Sequence, residues 1–162
     1  MKFALEVRQG PENALVFSEK LRAAIVTAGG AVVEGDEAPD LVVAVGGDGT
    51  VLAAAQRALA HDVPLLGFNL GTMGFLAEAE PEDLEPALER MLTGDYEVVQ
   101  RMTIRAKVAG ESATGVNDVI VEKVDIQRLI HLDGSVDGEP FVTYRADGLI
   151  ADRGHLEVVA HT

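Results

Sequence analysis

An α/β domain on a parallel sheet, followed by a mainly β domain, is the fold class that this chain of 162 residues predicts. Three observations carry the prediction. Short apolar runs rich in β-branched residues alternate with helical patterns up to Gly94, the order expected of βαβ units. Leu41–Val45 is apolar at every position, as in a strand buried on both faces. After Gly94 no helical period remains, and strand-like runs are separated by Gly, Asn and Asp turns.

In chain order, Phe3–Val7 reads as the first strand. Pro11 opens a helical pattern through Ala28, with Leu15, Leu21 and Ile25 among its apolar positions and Gly29-Gly30 ending it. Ala31–Val33 is a short second strand, followed by an acidic turn to Pro39. Leu41–Val45 and a helix over Val51–Ala60 come next, and Val63–Phe68 is a further apolar run broken by Pro64. Pro81–Leu92 is an amphipathic helix with Glu and Asp in its first turn and Gly94 past its end. The second half offers Tyr96–Val108, Val116–Val124, Leu129–Val136 and Phe141–Tyr144 as strands, with Asp137-Gly138 a good hairpin turn. The change of character places a domain boundary near 93–96, giving domains 1–94 and 95–162. The first is read as Rossmann-like and nucleotide-binding.

The stretch around which the chain is organised is Gly46-Gly47-Asp48-Gly49-Thr50. Gly46 and Gly47 end the buried strand without Cβ atoms, so the backbone can turn sharply and approach a ligand closely. Asp48 then stands at the carboxyl end of the strand, where open α/β sheets place their ligands. Thr50 is expected to cap the following helix, whose free N–H groups and dipole favour an anion. The alternative is a tight turn in which Asp48 and Thr50 merely cap. Two glycines before the carboxylate and one after it favour a phosphate-handling site. The loop Asn69–Leu76 is also punctuated by glycines. Taken alone it is an ordinary turn, but a parallel topology puts it on the same sheet edge as Asp48.

Composition narrows the function. Net charge is −14, against a sequence-independent grip on nucleic-acid phosphates. There is no Trp and little aromatic content, so base-stacking platforms are not supported. Up to Glu89 the chain holds 5 basic and 15 acidic residues, and between Arg22 and Arg90 the one basic residue is Arg57. Phosphates near Asp48 are therefore expected to rely on backbone N–H groups, a divalent cation, or side chains from the second half. The absence of cysteine excludes a disulfide framework, a thiolate metal site and a cysteine nucleophile. His61, His131, His155 and His161 show no metal-ligand spacing, and no protein metal site is expected. No signal-peptide core or membrane-length apolar run is visible, so a cytoplasmic location with no membrane partner is expected.

Four segments together resemble the NAD kinase family: Gly46–Thr50, Gly67–Leu76, Asn117-Asp118 and Tyr144–Gly148. The resemblance covers essentially residues 1–150. The first segment alone is shared with lipid kinases of the diacylglycerol type. The resemblance implies transfer of the ATP γ-phosphoryl group (or one from polyphosphate) to the 2′-hydroxyl of the adenosine ribose of NAD, giving NADP. It implies Mg²⁺ or another divalent cation with ATP, NAD as substrate, and self-association as a dimer or tetramer. Asp48 matches the family's proton acceptor, and a carboxylate within reach of a hydroxyl can take its proton. Gly46, Gly47, Gly49, Thr50 and Asn69 belong to the matching nucleotide-binding loops. Phe75 matches an apolar wall beside the nucleotide, and Asn117 and Asp118 match the pair that holds adenosine. Arg128, Arg145 and Asp147 match further nucleotide contacts, with Arg145 the better placed arginine because it brings positive charge to an acidic site. Read without the resemblance, Asn117-Asp118 and Asp147-Gly148 are turns, and the arginines are solvated strand charges.

The chain departs from the family after Ile150. A Thr/Gly/Ser-rich segment and several strands are expected there, and Ala151–Thr162 supplies neither. A chain cut short, with an incomplete all-β, sandwich-like second domain, is the expectation. Such a remnant should expose strand edges. Two alternatives to an active NAD kinase follow: a catalytically impaired nucleotide-binding remnant, and a lipid or sugar kinase sharing only the Gly-Gly-Asp-Gly loop.

Overall fold

The computed structural model describes residues 1–8, 12–70, 76–77, 79–108, 110–123, 129–152 and 156–159. The chain divides into two compact units, Met1–Val99 and Gln100–Thr162. Tyr96 packs against the core of the first unit and Arg90 Nε donates to the Asp95 carbonyl at 2.8 Å, so the first unit continues past Gly94.

The first unit holds β1 (Lys2–Val7), α1 (Glu12–Thr27), β2 (Ala31–Val33), β3 (Leu41–Gly46), α2 (Asp48–His61), β4 (Leu65–Asn69) and α3 (Leu84–Thr93). Its four strands form one parallel sheet in the order β2-β1-β3-β4. Every residue of β3 is buried, and alternation along a strand sorts its side chains between two faces. Leu41, Val43 and Val45 join Phe17, Leu21 and Ile25 of α1 and Leu84, Leu88 and Met91 of α3. Val42 and Ala44 join Val51, Ala54 and Ala58 of α2. Helices thus cover both faces, and the small residues of α2 let it approach the sheet closely. Phe17 and Phe68 add a tilted ring pair with centroids 5.2 Å apart, a geometry worth about 0.5–1.5 kcal/mol beyond burial.

Several local expectations meet corrections. α2 begins at Asp48 with Gly47 as its N-cap, so Thr50 lies inside the first turn and does not cap the helix. The backbone N–H of Thr50 bonds the Gly47 carbonyl at 2.9 Å. Gly94 caps α3 in the left-handed region as expected, with φ 73°. Pro11 lies outside the described residues.

The second unit is entirely antiparallel among the described residues. β5 (Ile104–Val108) pairs with β6 (Glu111–Gly115), and β8 (Ile130–Val136) pairs with β9 (Glu139–Ala146). β10 (Gly148–Asp152) lies between β7 (Asp118–Glu122) and β11 (Leu156–Val159). Asp137 and Gly138, both at positive φ, form the expected turn of the β8–β9 hairpin. The strand expected over Tyr96–Val108 is confined to its last five residues, and β6, β10 and β11 are additions. In this unit Ala146 is buried, while Ile120, Phe141 and Tyr144 are exposed.

Candidate active site

β1 and β3 are neighbours in the sheet, yet the helix after β1 packs on one face and the helix after β3 on the other. Chain connections diverge at such a point, leaving a crevice beyond the carboxyl ends of the strands. Gly46–Thr50 lies there. Gly46 has φ +158°, and a Cβ on it would collide with the Thr50 hydroxyl and come within 3.0 Å of the Arg8 Cβ. Glycine is therefore demanded by the chain itself at this position. Gly47 and Gly49 differ, since a Cβ on either would meet nothing within 4 Å. Their small size answers no packing need among the described residues.

Asp48 opens α2 and is half-buried; its Oδ1 accepts the Leu76 N–H at 3.0 Å. This carboxylate is tied into the strap that follows β4, not held on a free loop. Asn69 ends β4 directly beside Gly46 in the ladder. It is buried, its N–H donates to the Ala79 carbonyl at 2.8 Å, and its Nδ2 donates to Glu80 Oε1 at 3.3 Å. The Leu70 N–H returns to the Gly46 carbonyl at 3.1 Å. Gly46, Gly47, Asp48, Gly49, Thr50 and Asn69 are thus brought to one sheet edge. Phe75 lies outside the described residues.

In the second unit the expected residues separate. Asn117 precedes β7, and its Nδ2 donates to Asp118 Oδ2 at 3.1 Å. Asp118 pairs with Asp152 at one end of the β7–β10 ladder, whereas Gly148 pairs with Glu122 at the other. Asp147, next to Gly148, is therefore roughly 15 Å from Asp118 along the strands. Asp147 is no solvated turn residue: it is 6% exposed and its Oδ1 is ion-paired with Lys123 Nζ. Arg145 sits on β9 opposite His131 and is exposed. Arg128 lies outside the described residues. Lys123, Leu76 and Glu80 are the supporting residues that sequence reasoning missed, because nothing local in the sequence marks a long-range partner.

No group of three or more acidic or histidine side chains able to hold a metal ion occurs among the described residues. No helix among them is long and apolar enough to cross a membrane.

A doubly covered parallel sheet with a glycine–carboxylate turn at its switch point defines a Rossmann-like α/β protein. Comparison with known proteins narrows this. A family model described as the ATP-NAD kinase N-terminal domain matches residues 8–96, more than half of the chain. An NAD kinase of Heliobacterium modesticaldum is 46% identical over 116 residues, covering 68% of this chain and 41% of that protein. One from Leifsonia xyli is 39% identical over 147 residues, covering 88% and 48%. The chain belongs to the NAD kinase family, and it spans less than half the length of these relatives. Its fold matches an NAD kinase from Archaeoglobus fulgidus solved with ATP, at TM-score 0.68 and 24% identity over 93% of this chain and 59% of that one. It also matches yeast NADH kinase solved with NADH, at TM-score 0.75 and 17% identity over 93% and 56%.

Proposed function

We propose that the chain carries the phosphoryl-transfer site of an NAD kinase, passing the γ-phosphoryl group of ATP to the 2′-hydroxyl of the adenosine ribose of NAD. The observation behind this reading is Asp48, a carboxylate at the switch point oriented by the Leu76 N–H at 3.0 Å. With Oδ1 so engaged, the carboxylate is held in one orientation, ready to accept the ribose hydroxyl proton as the hydroxyl attacks. The remaining demand of phosphoryl transfer is positioning and neutralisation of charge. Gly46, Gly47, Gly49 and Thr50 shape the turn against which phosphates would lie, and Asn69 fixes the neighbouring strand end. Asn117 and Asp118 are assigned to adenosine, with Phe75, Arg128, Arg145 and Asp147 as further nucleotide contacts.

A divalent cation suits this donor set only as a companion of the substrate. One carboxylate, with no acidic cluster among the described residues, matches Mg²⁺ held mainly by phosphate oxygens and water. Bound there it would neutralise charge on the transferring group. Self-association and a cytoplasmic location complete the proposal.

A second reading, nucleotide binding without turnover, is favoured by the large apolar side chains Ile120, Phe141 and Tyr144 that the second unit leaves exposed. NADP formation from NAD and Mg-ATP, with Asp48→Asn as control, separates the two. Asn keeps an acceptor for Leu76 but cannot take a proton. Turnover lost only in the variant supports the kinase. Equal turnover in both would remove Asp48 from its role, and no turnover with intact NAD binding would select the second reading.

A further inference from the structure

Among the described residues, Arg8 is the one lysine or arginine of the first unit with no carboxylate partner. The unit contains Lys2, Arg8, Lys20, Arg22, Arg57 and Arg90. Lys2 pairs with Glu37, Lys20 with Glu85, Arg22 with Glu34, Arg57 with Glu6 and Arg90 with Asp95, all at 2.8–3.8 Å. The Arg8 guanidinium makes no ion pair among the described residues, although acidic side chains outnumber basic ones in this unit.

Its place in the fold is specific. Arg8 follows β1, and its N–H donates to the Val45 carbonyl at 3.0 Å, continuing the β1–β3 ladder to the switch point. On β1, Ala4 packs against the α2 layer and the Glu6 carboxylate accepts from Arg57 of α2. Arg8 is two residues further on and continues that row. Its Cβ leans on the Gly46 turn beside Thr50, so close that a Cβ on Gly46 would stand 3.0 Å away. The side chain is exposed and starts where α2 starts.

We propose that Arg8 is the cationic contact of this site for the phosphate chain of the donor nucleotide, a positioning role that deepens, and rests on, the kinase reading. A guanidinium offers a planar fork of donors that grips phosphate oxygens in pairs, and it stays charged at any working pH. Starting at the Gly46 turn, two residues before Asp48, it would also offset the repulsion between that carboxylate and an incoming polyanion. The charge count along the chain suggested that cations would have to come from elsewhere. The β1–β3 pairing brings one across from the start of the chain.

The test is equilibrium binding of Mg-ATP, Mg-tripolyphosphate and NAD to the parent chain, Arg8→Gln and Arg8→Lys. Arg8→Gln should weaken ATP and tripolyphosphate by about tenfold, the loss of one charge-assisted contact. Arg8→Lys should recover part of that loss, and raised salt should narrow the gap between parent and Gln variant. A loss confined to NAD would place the contact on its pyrophosphate instead of the donor's phosphates, overturning the donor assignment. Unchanged affinity of Arg8→Gln for all three ligands overturns the role of Arg8 and leaves the kinase reading intact. Failure of the parent to bind any of them overturns both. Arg8 is exposed, so folding of the variants is not at stake, and far-UV circular dichroism verifies it.

Discussion

Lys123 and Asp147 form an ion pair that ties the end of β7 to the junction of β9 and β10. The Asp147 side chain is 7% exposed and that of Lys123 19%. The backbone repeats the tie, with the Lys123 N–H donating to the Asp147 carbonyl at 3.1 Å. A carboxylate this deep depends on the cation beside it.

Replacing Lys123 by Met should therefore destabilise the second unit by about 1–3 kcal/mol, since a buried charge loses its counterion. Asp147→Asn in the same background should restore part of the loss. A double-mutant cycle measured by denaturant unfolding reads the coupling. A coupling energy near zero would mean that the pair contributes nothing to the corner.

Gly46 and Gly47 should respond in opposite ways to alanine. At Gly46 the new methyl meets Thr50 and Arg8 at a φ of +158°, and a loss of about 1–3 kcal/mol is expected. Gly47 has φ −104° and ψ −169° with open space around it, so its stability change should stay within about 0.5 kcal/mol. Thermal melts of the two variants check this directly. Equal losses would contradict the turn geometry.

Gly115 governs the placement of Asp118, which with Asn117 is proposed to hold adenosine. A Cβ there would run into the Asp118 carbonyl oxygen and lie 2.9 Å from its carbon. Gly115→Ala should shift the amide resonances of Asn117, Asp118 and Val119 and weaken NAD at least severalfold, leaving β3 signals unmoved. Unperturbed Asn117 and Asp118 resonances would show that the turn absorbs the methyl.

Amide hydrogen exchange should divide the chain. β3 is buried throughout, whereas β8 and β9 carry Val136, Phe141 and Tyr144 on exposed faces. Local opening follows the density of buried apolar contact. Protection in β3 should exceed that in β8 and β9 by at least about tenfold, and similar protection in both would contradict this division.

What the sequence reveals and conceals follows from the range of each interaction. Leu41–Val45 was legible because burial on both faces leaves an unbroken apolar run, and Gly94 and Asp137-Gly138 because their backbone angles select residue type locally. The start of α2 was misplaced onto Thr50 because Gly47, the true cap, makes no side-chain cap hydrogen bond. β6 escaped because Glu-Ser-Ala-Thr-Gly alternates nothing apolar, and its residues are largely exposed. β10 owes its existence to pairing with β7, a partner far away in sequence. The position of Asp48 past the carboxyl end of β3 was legible; its tether to Leu76 was not, for the same reason.

The strap that follows β4 has one more effect. Its Ala79 bridges to Phe68, accepting from the Asn69 N–H and donating to the Gly67 carbonyl at 3.1 Å. Those are groups on the outer flank of β4, which would otherwise invite another strand. The strap therefore seals the sheet against lateral growth with the same few residues whose neighbours, Leu76 and Glu80, hold Asp48 and Asn69. Solubility and the orientation of Asp48 are in this way coupled: a substitution that loosens these residues exposes a sticky border at the moment it frees Asp48, so aggregation and loss of the proposed activity should arrive together in variants of Leu76, Ala79 and Glu80.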